Sequence, residues 1–127
     1  MNRLILIVED NERNRKLVRT VLEYRGFEVA ECSDGESAIA LARSRRPALV
    51  LMDIELPKLD GISALKRLRA DPQTASIPVV AVTASVTREQ RARISSADFS
   101  GYVAKPIDVE AFAATIEGLV GEGDASK

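Results

Sequence analysis

A chain of 127 residues is the size of one ordinary domain, long enough to bury roughly two-thirds of its unfolded surface and to fold without covalent staples. With 46% apolar residues, 29% charged residues and a formal net charge of −1, it reads as globular and soluble, and nothing in that balance calls for nonspecific binding to nucleic acid or to a membrane surface. The single cysteine, Cys32, excludes an internal disulfide framework, fits a reducing compartment and reads as a small packing residue, while the absence of histidine excludes histidine acid–base chemistry, histidine metal ligands and a phosphohistidine on this chain.

The first element is the short apolar run "LILIV" (4–8), which ends in Glu9 and Asp10 and suits a strand better than a secretory signal or a membrane span, and this leads to the expectation of a cytoplasmic protein. Leu17, Val18, Val21 and Leu22 recur at helical spacing, and Gly26 follows them as a stop. "EVAEC" (28–32) alternates weakly, as an edge strand does, and Ala38, Ile39 and Ala42 mark a second helix. After Pro47 comes "ALVLM" (48–52), a run apolar enough for a strand buried on both faces, and it leads straight into Asp53. Ile62, Leu65 and Leu68 predict a third helix ended by Pro72, and Pro78 opens the strand "VVAVT" (79–83). A polar helix near Thr87–Ala97, a strand "GYVA" (101–104) and a last helix carrying Val109, Phe112, Ile116 and Leu119 complete the alternation. One domain over residues 1–120 follows, with a tail "GEGDASK" (121–127) expected to be disordered for want of apolar surface. Five strands separated by helices imply a parallel sheet with right-handed crossovers, the doubly wound α/β layout.

In such a sheet the C-terminal ends of all strands point to one edge, where ligands bind. Glu9 and Asp10, Asp53, Thr83 and Lys105 end four different strands and should therefore meet. A buried carboxylate at Asp53 needs a partner, and three carboxylates in one crevice repel unless a divalent cation lies between them. Oxygen ligands without His or Cys favour octahedral Mg²⁺, shared by Asp53 with Asp10 and with Glu9 directly or through water. Lys105 adds a second cation and Thr83 a hydroxyl. A phosphoryl group fits among them, with Asp53 as the nucleophile that becomes an aspartyl phosphate.

Each residue also has an ordinary reading when taken alone. Asp10 with Asn11 can cap the first helix, Asp53 can be a turn residue, Thr83 a plain strand end and Lys105 a solvated charge. It is their joint occurrence at one sheet edge that favours a shared site. The basic stretch "RNRKLVR" (13–19) lacks interleaved aromatics and reads as a solvated helix face, and Tyr102 reads as a half-buried strand residue near Thr83, in place for a switch.

These residues resemble the receiver domain of bacterial two-component response regulators over nearly the whole chain, through "LILIVEDNERNRKLV", "LVLMDIELPKLDG", "IPVVAVTAS" and "GYVAKPI". The "VEDN" start and the "IPVVAVTA" strand resemble single-domain regulators of the DivK type, and with that resemblance goes the expectation of a stand-alone receiver without an output domain. The resemblance implies a flavodoxin-like sheet of order 2-1-3-4-5 flanked by five helices. It implies Asp53 as phosphoacceptor, Mg²⁺ held by Glu9, Asp10, Asp53 and the Glu55 carbonyl, Lys105 on the phosphoryl group, and Thr83 with Tyr102 as a switch pair. It further implies a phosphohistidine on a histidine kinase or phosphotransfer protein as donor, a downstream protein target, and a cis peptide at Lys105–Pro106. Asp98 stands where the family commonly has glycine, and Glu55 and Ser85 border the path of a hydrolytic water.

A phosphorylation-controlled signalling module, with only self-catalysed phosphoryl transfer and autodephosphorylation, is the first functional expectation. A small Mg²⁺ phosphatase with Glu55 as acid–base is the enzymatic alternative, although the chain has little room for a substrate cap. A flavin module would need a phosphate loop where "EDN" instead presents two acids, and no G-x-x-x-x-G-K-[ST] nucleotide loop occurs.

Overall fold

The structure, a computed structural model, describes residues 3–56, 58–84, 87–97, 99–105, 112 and 114–119. The tail 121–127, Ser85, Asp98, Pro106 and Val109, on which sequence expectations fall, lie outside the described residues. Five parallel strands, β1 (Leu4–Val8), β2 (Glu28–Cys32), β3 (Leu49–Asp53), β4 (Val79–Thr83) and β5 (Gly101–Ala104), form one sheet in the order β2-β1-β3-β4-β5. Between them run α1 (Glu12–Tyr24), α2 (Gly35–Arg45), α3 (Gly61–Ala70) and α4 (Arg88–Ser96), and residues 112 and 114–119 belong to a fifth helix, α5. The doubly wound expectation is met, with strand order and edge placement of β2 as the resemblance implied.

Every residue of β1, β3 and β4 is buried, because these strands are covered on both faces, whereas β2, at the edge, is only partly so. Period two sends alternate side chains to two cores. Leu6, Val8, Val50 and Met52 pack against Ala38 and Ala42 of α2 and Leu65 and Leu68 of α3. Ile5, Ile7, Leu49 and Leu51 pack against Val18 and Leu22 of α1 and Phe112 and Ile116 of α5. Two predicted face residues stand apart from this packing: Leu17 is 45% exposed and Leu119 38% exposed. Leu17 sits one helical step of about 100° from Val18, and the stripe centred on Val18 and Leu22 turns it outward.

The helix ends follow local chemistry. α1 stops at Gly26, whose φ of +87° is easy only for glycine. Asn11, Asp34 and Asp60 cap α1, α2 and α3, their side chains accepting from the N–H of Asn14, Ser37 and Ser63 at 3.0, 2.8 and 2.8 Å. The caps start α1 and α2 within a few residues of β1 and β2, while α3 begins only after the longer loop that follows Asp53.

Candidate functional site

The ends of β1, β3, β4 and β5 bring Glu9, Asp10, Asp53, Thr83 and Lys105 to one crevice. Asp53 is 2% exposed, Glu9 5% and Thr83 1%, while Asp10 faces solvent. The Lys105 ammonium donates to Asp53 Oδ2 at 3.0 Å and lies 3.0 Å from Glu9 Oε1. The other Asp53 oxygen, Oδ1, accepts the Glu55 N–H at 2.9 Å, and Glu9 Oε2 accepts the Asn11 N–H at 3.0 Å. Each buried carboxylate is thus held by one backbone N–H and by the shared ammonium. Of the two partners expected for Asp53, a divalent cation and Lys105, the ammonium lies within hydrogen-bond distance.

The capping alternative for Asp10 is decided by Asn11. Because Asn11 supplies the cap of α1, the Asp10 carboxylate is left for the crevice, where carboxylate oxygens of Glu9, Asp10 and Asp53 lie within 4.8 Å of one another. Among the described residues three carboxylates meet at this point and two of them share the Lys105 ammonium, so the cluster is acidic. Burial, chiefly, raises Glu9 above the usual carboxylate range; the N–H of Asn11 and the ammonium of Lys105 oppose the rise, and the nearby Asp53 charge adds to it. Burial alone would lower Lys105, but its bonds to Glu9 and Asp53 outweigh that and hold the ammonium above its ordinary value. An all-oxygen, net-negative donor set of this kind fits a hard divalent cation, Mg²⁺ in particular.

Glu55 is exposed, and its Oε1 accepts the Ala84 N–H at 3.3 Å, which ties the loop after β3 to the end of β4. Lys105 is fixed through its own N–H, which donates to the Thr83 carbonyl at 2.8 Å. Register pairs Thr83 with Ala104 and Ala81 with Tyr102, so Thr83 and Tyr102 share one face of the sheet two residues apart. Tyr102 is 50% exposed there.

Four further residues build the site and were not singled out as site residues from the sequence. Asn11 was visible as a cap, and its role in freeing Asp10 follows once the helix start is known. Gly61 allows α3 to approach the Asp53 backbone. Arg15 donates to the Glu9 carbonyl at 2.8 Å and is paired with Glu31 of β2 at 3.1 Å. No linear pattern announces that triangle, because it depends on the register Ile7↔Glu31 and on where α1 crosses β2.

Residues 5–117 match the response regulator receiver domain family. The polar-differentiation response regulator DivK of Brucella anthropi is 41% identical over 122 residues, covering 96% of this chain and 99% of that protein. Among solved structures, the receiver domain of the sensor histidine kinase PA1611 from Pseudomonas aeruginosa PAO1 superposes with a TM-score of 0.87 at 31% identity, over 95% of this chain and 99% of that one. That structure has a magnesium ion coordinated in its active-site cleft. A response regulator from Chloroflexus aurantiacus superposes with a TM-score of 0.89 at 26% identity, over 95% of this chain and 99% of that one.

Proposed function

Since this chain belongs to the response regulator receiver family, we propose that it accepts a phosphoryl group on Asp53 from a phosphohistidine of a kinase or phosphotransfer protein and thereby changes its protein contacts. The observation that carries this reading is the Lys105 ammonium held 3.0 Å from both Asp53 and Glu9, beside an Asp10 carboxylate that no cap consumes. Glu9, Asp10 and Asp53, with the Glu55 carbonyl, would hold Mg²⁺, which when bound offsets the charge of the phosphoryl oxygens.

The chain's own groups then have definite tasks. An Asp53 oxygen forms the new O–P bond while the P–N bond to the donor imidazole breaks, its electron pair staying on nitrogen. The Glu55 N–H keeps the Asp53 carboxylate from rotating, which positions the nucleophile at little entropic cost. Lys105 turns from the carboxylate to the incoming phosphoryl oxygens, and the Thr83 hydroxyl donates to one of them. Drawing Thr83 inward lets Tyr102, on the same side of the sheet, follow and repack the surface near α4 and β5, a two-state element biased by one local charge. A cleft of about 370 Å³ beside Asp10, bordered by Asp34, Lys58 and Leu59, leaves room for the donor to approach from outside. Histidine is absent from this sequence, so the donor imidazole comes from a partner. The reading carries a cytoplasmic location and protein targets; among the described residues no helix is long and apolar enough to cross a membrane.

The test is intact mass after acetyl phosphate with Mg²⁺, beside a chelated sample and the Asp53→Asn variant. One phosphoryl adduct that needs both Mg²⁺ and Asp53 is expected. No adduct, together with no binding of beryllofluoride, would overturn the reading, and turnover of phosphoesters would favour the phosphatase instead.

A further inference from the structure

The side of the acidic turn away from Lys105 is held by a charged triangle for which the phosphoryl chemistry gives no role. Arg15, on the first turn of α1, donates from Nη1 to the Glu9 carbonyl at 2.8 Å and from Nε to Glu31 Oε1 at 3.1 Å. The second oxygen of Glu31 accepts from Arg19 Nη1 at 2.5 Å, so Glu31 is fixed from two sides. The Glu9 N–H donates to the Cys32 carbonyl at 3.1 Å, which ties the same residue to β2 through the preceding peptide. Arg15 and Glu31 are only 21% and 25% exposed, so this pair is shielded better than an ordinary surface ion pair.

We propose that Arg15, anchored by Glu31, is a positioning residue that fixes the Glu9–Asp10 turn so that both carboxylates face the cation site. The inference rests on the Mg²⁺ reading of that site. A guanidinium suits the task because its planar fork serves the Glu31 carboxylate and the Glu9 carbonyl at once, which a lysine ammonium does not do in the same geometry. The positive charge that Arg15 brings near a cation site is offset by Glu31, so orientation outweighs repulsion.

The experiment is calorimetric titration of MgCl₂ into the wild-type protein and the variants Arg15→Met, Arg15→Lys and Glu31→Gln. Outer groups that orient metal ligands typically affect affinity by 10–100-fold, so about tenfold weaker binding is expected for Arg15→Met and Glu31→Gln. Arg15→Lys should share most of that loss although it keeps the charge. In acetyl phosphate reactions, Arg15→Met should need about tenfold more Mg²⁺ for half-maximal rate yet reach the wild-type plateau. Wild-type affinity or tighter binding in Arg15→Met would overturn the proposal, the latter meaning that charge repulsion dominates. A lowered plateau with an unmoved Mg²⁺ midpoint would also overturn it, because that is the mark of a merely structural role. Failure of the wild-type protein to bind Mg²⁺ would instead overturn the site reading on which the proposal stands.

Discussion

A Cβ on Gly61 would lie 2.5 Å from the Asp53 carbonyl oxygen and 2.8 Å from the Cα of Ile54, so α3 begins directly against the backbone that carries the Asp53 carboxylate. The contact is backbone on backbone, and the Gly61 N–H donates to the Ile54 carbonyl at 3.0 Å across it. Alanine would gain about 1 kcal/mol of helix propensity over glycine. Displacing two backbone segments costs more, of the order of 1–3 kcal/mol. Gly61→Ala should therefore lose stability in urea unfolding and slow phosphoryl adduct formation. Equal or greater stability would show that the approach has room to spare.

Removing one charge from the acidic cluster should help the Mg²⁺-free protein. In Asp53→Asn, two carboxylate repulsions and one ammonium attraction are lost at once, and Glu9 keeps Lys105 as its partner. With pairs near 4 Å worth about 1 kcal/mol or more in water-like surroundings, a gain of about 1 kcal/mol is expected in EDTA. Mg²⁺ at a hundred times its dissociation constant should stabilise the wild type by about 2.7 kcal/mol and Asp53→Asn much less. Thermal melts with and without Mg²⁺ read both effects, and a destabilised chelated variant would mean that the Lys105–Asp53 pair outweighs the repulsion.

Most of the fold was legible because the strands here are unusually plain. "LILIV", "ALVLM" and "VVAVT" have too many consecutive apolar residues for anything but a sheet covered on both sides, and once the sheet is parallel its edge gathers Glu9, Asp53, Thr83 and Lys105 without further assumption. What stayed hidden needs angles and register. Leu17 and Leu119 looked like core residues at helical spacing, but a stripe has a centre and flanks, and only packing shows which residue falls on a flank. Arg15 looked like part of a solvated basic face because Glu31, its partner, is brought near by strand pairing rather than by sequence distance. Capping by Asp10 with Asn11 was the ordinary reading of that turn, and the start of α1 at Glu12 makes Asn11 the cap.

The α2 cap ties stability to acid pH in a direction that can be worked out. Asp34 accepts from the Ser37 N–H at 2.8 Å and from its hydroxyl at 3.2 Å, and these bonds, the backbone one foremost, hold its carboxyl below the ordinary value of 3.8. A lowered folded value means that the contribution is fully present above the unfolded value and is lost as pH falls through the folded one. Asp34→Ala should cost about 1 kcal/mol at neutral pH. The gap to wild type should narrow below the ordinary carboxylate range towards that between Asp34→Asn, which keeps a neutral acceptor and should lose less, and Asp34→Ala. Urea titrations at neutral and acid pH distinguish these outcomes, and a gap as large in acid as at neutral pH would assign the cost to something other than the ionised cap.

Cys32 should behave as a packing residue rather than a reactive thiol. It sits partly buried against the α2 and α3 side of the core, and burial, the chief cause, pushes its thiol from 9.0 up to about 11. The nearby Asp34 charge adds to the rise, while Arg15 and a hydrogen bond with the Asp34 backbone oppose it. At pH 8 the thiolate fraction is then about a hundredfold below that of an ordinary cysteine, and alkylation follows the thiolate. Iodoacetamide followed by intact mass should show the folded protein modified about a hundredfold more slowly than the same chain in concentrated urea. A folded-state rate within a few-fold of the unfolded one would mean that the β2 edge opens often enough to expose Cys32, and with it the carbonyl that holds the Glu9 N–H.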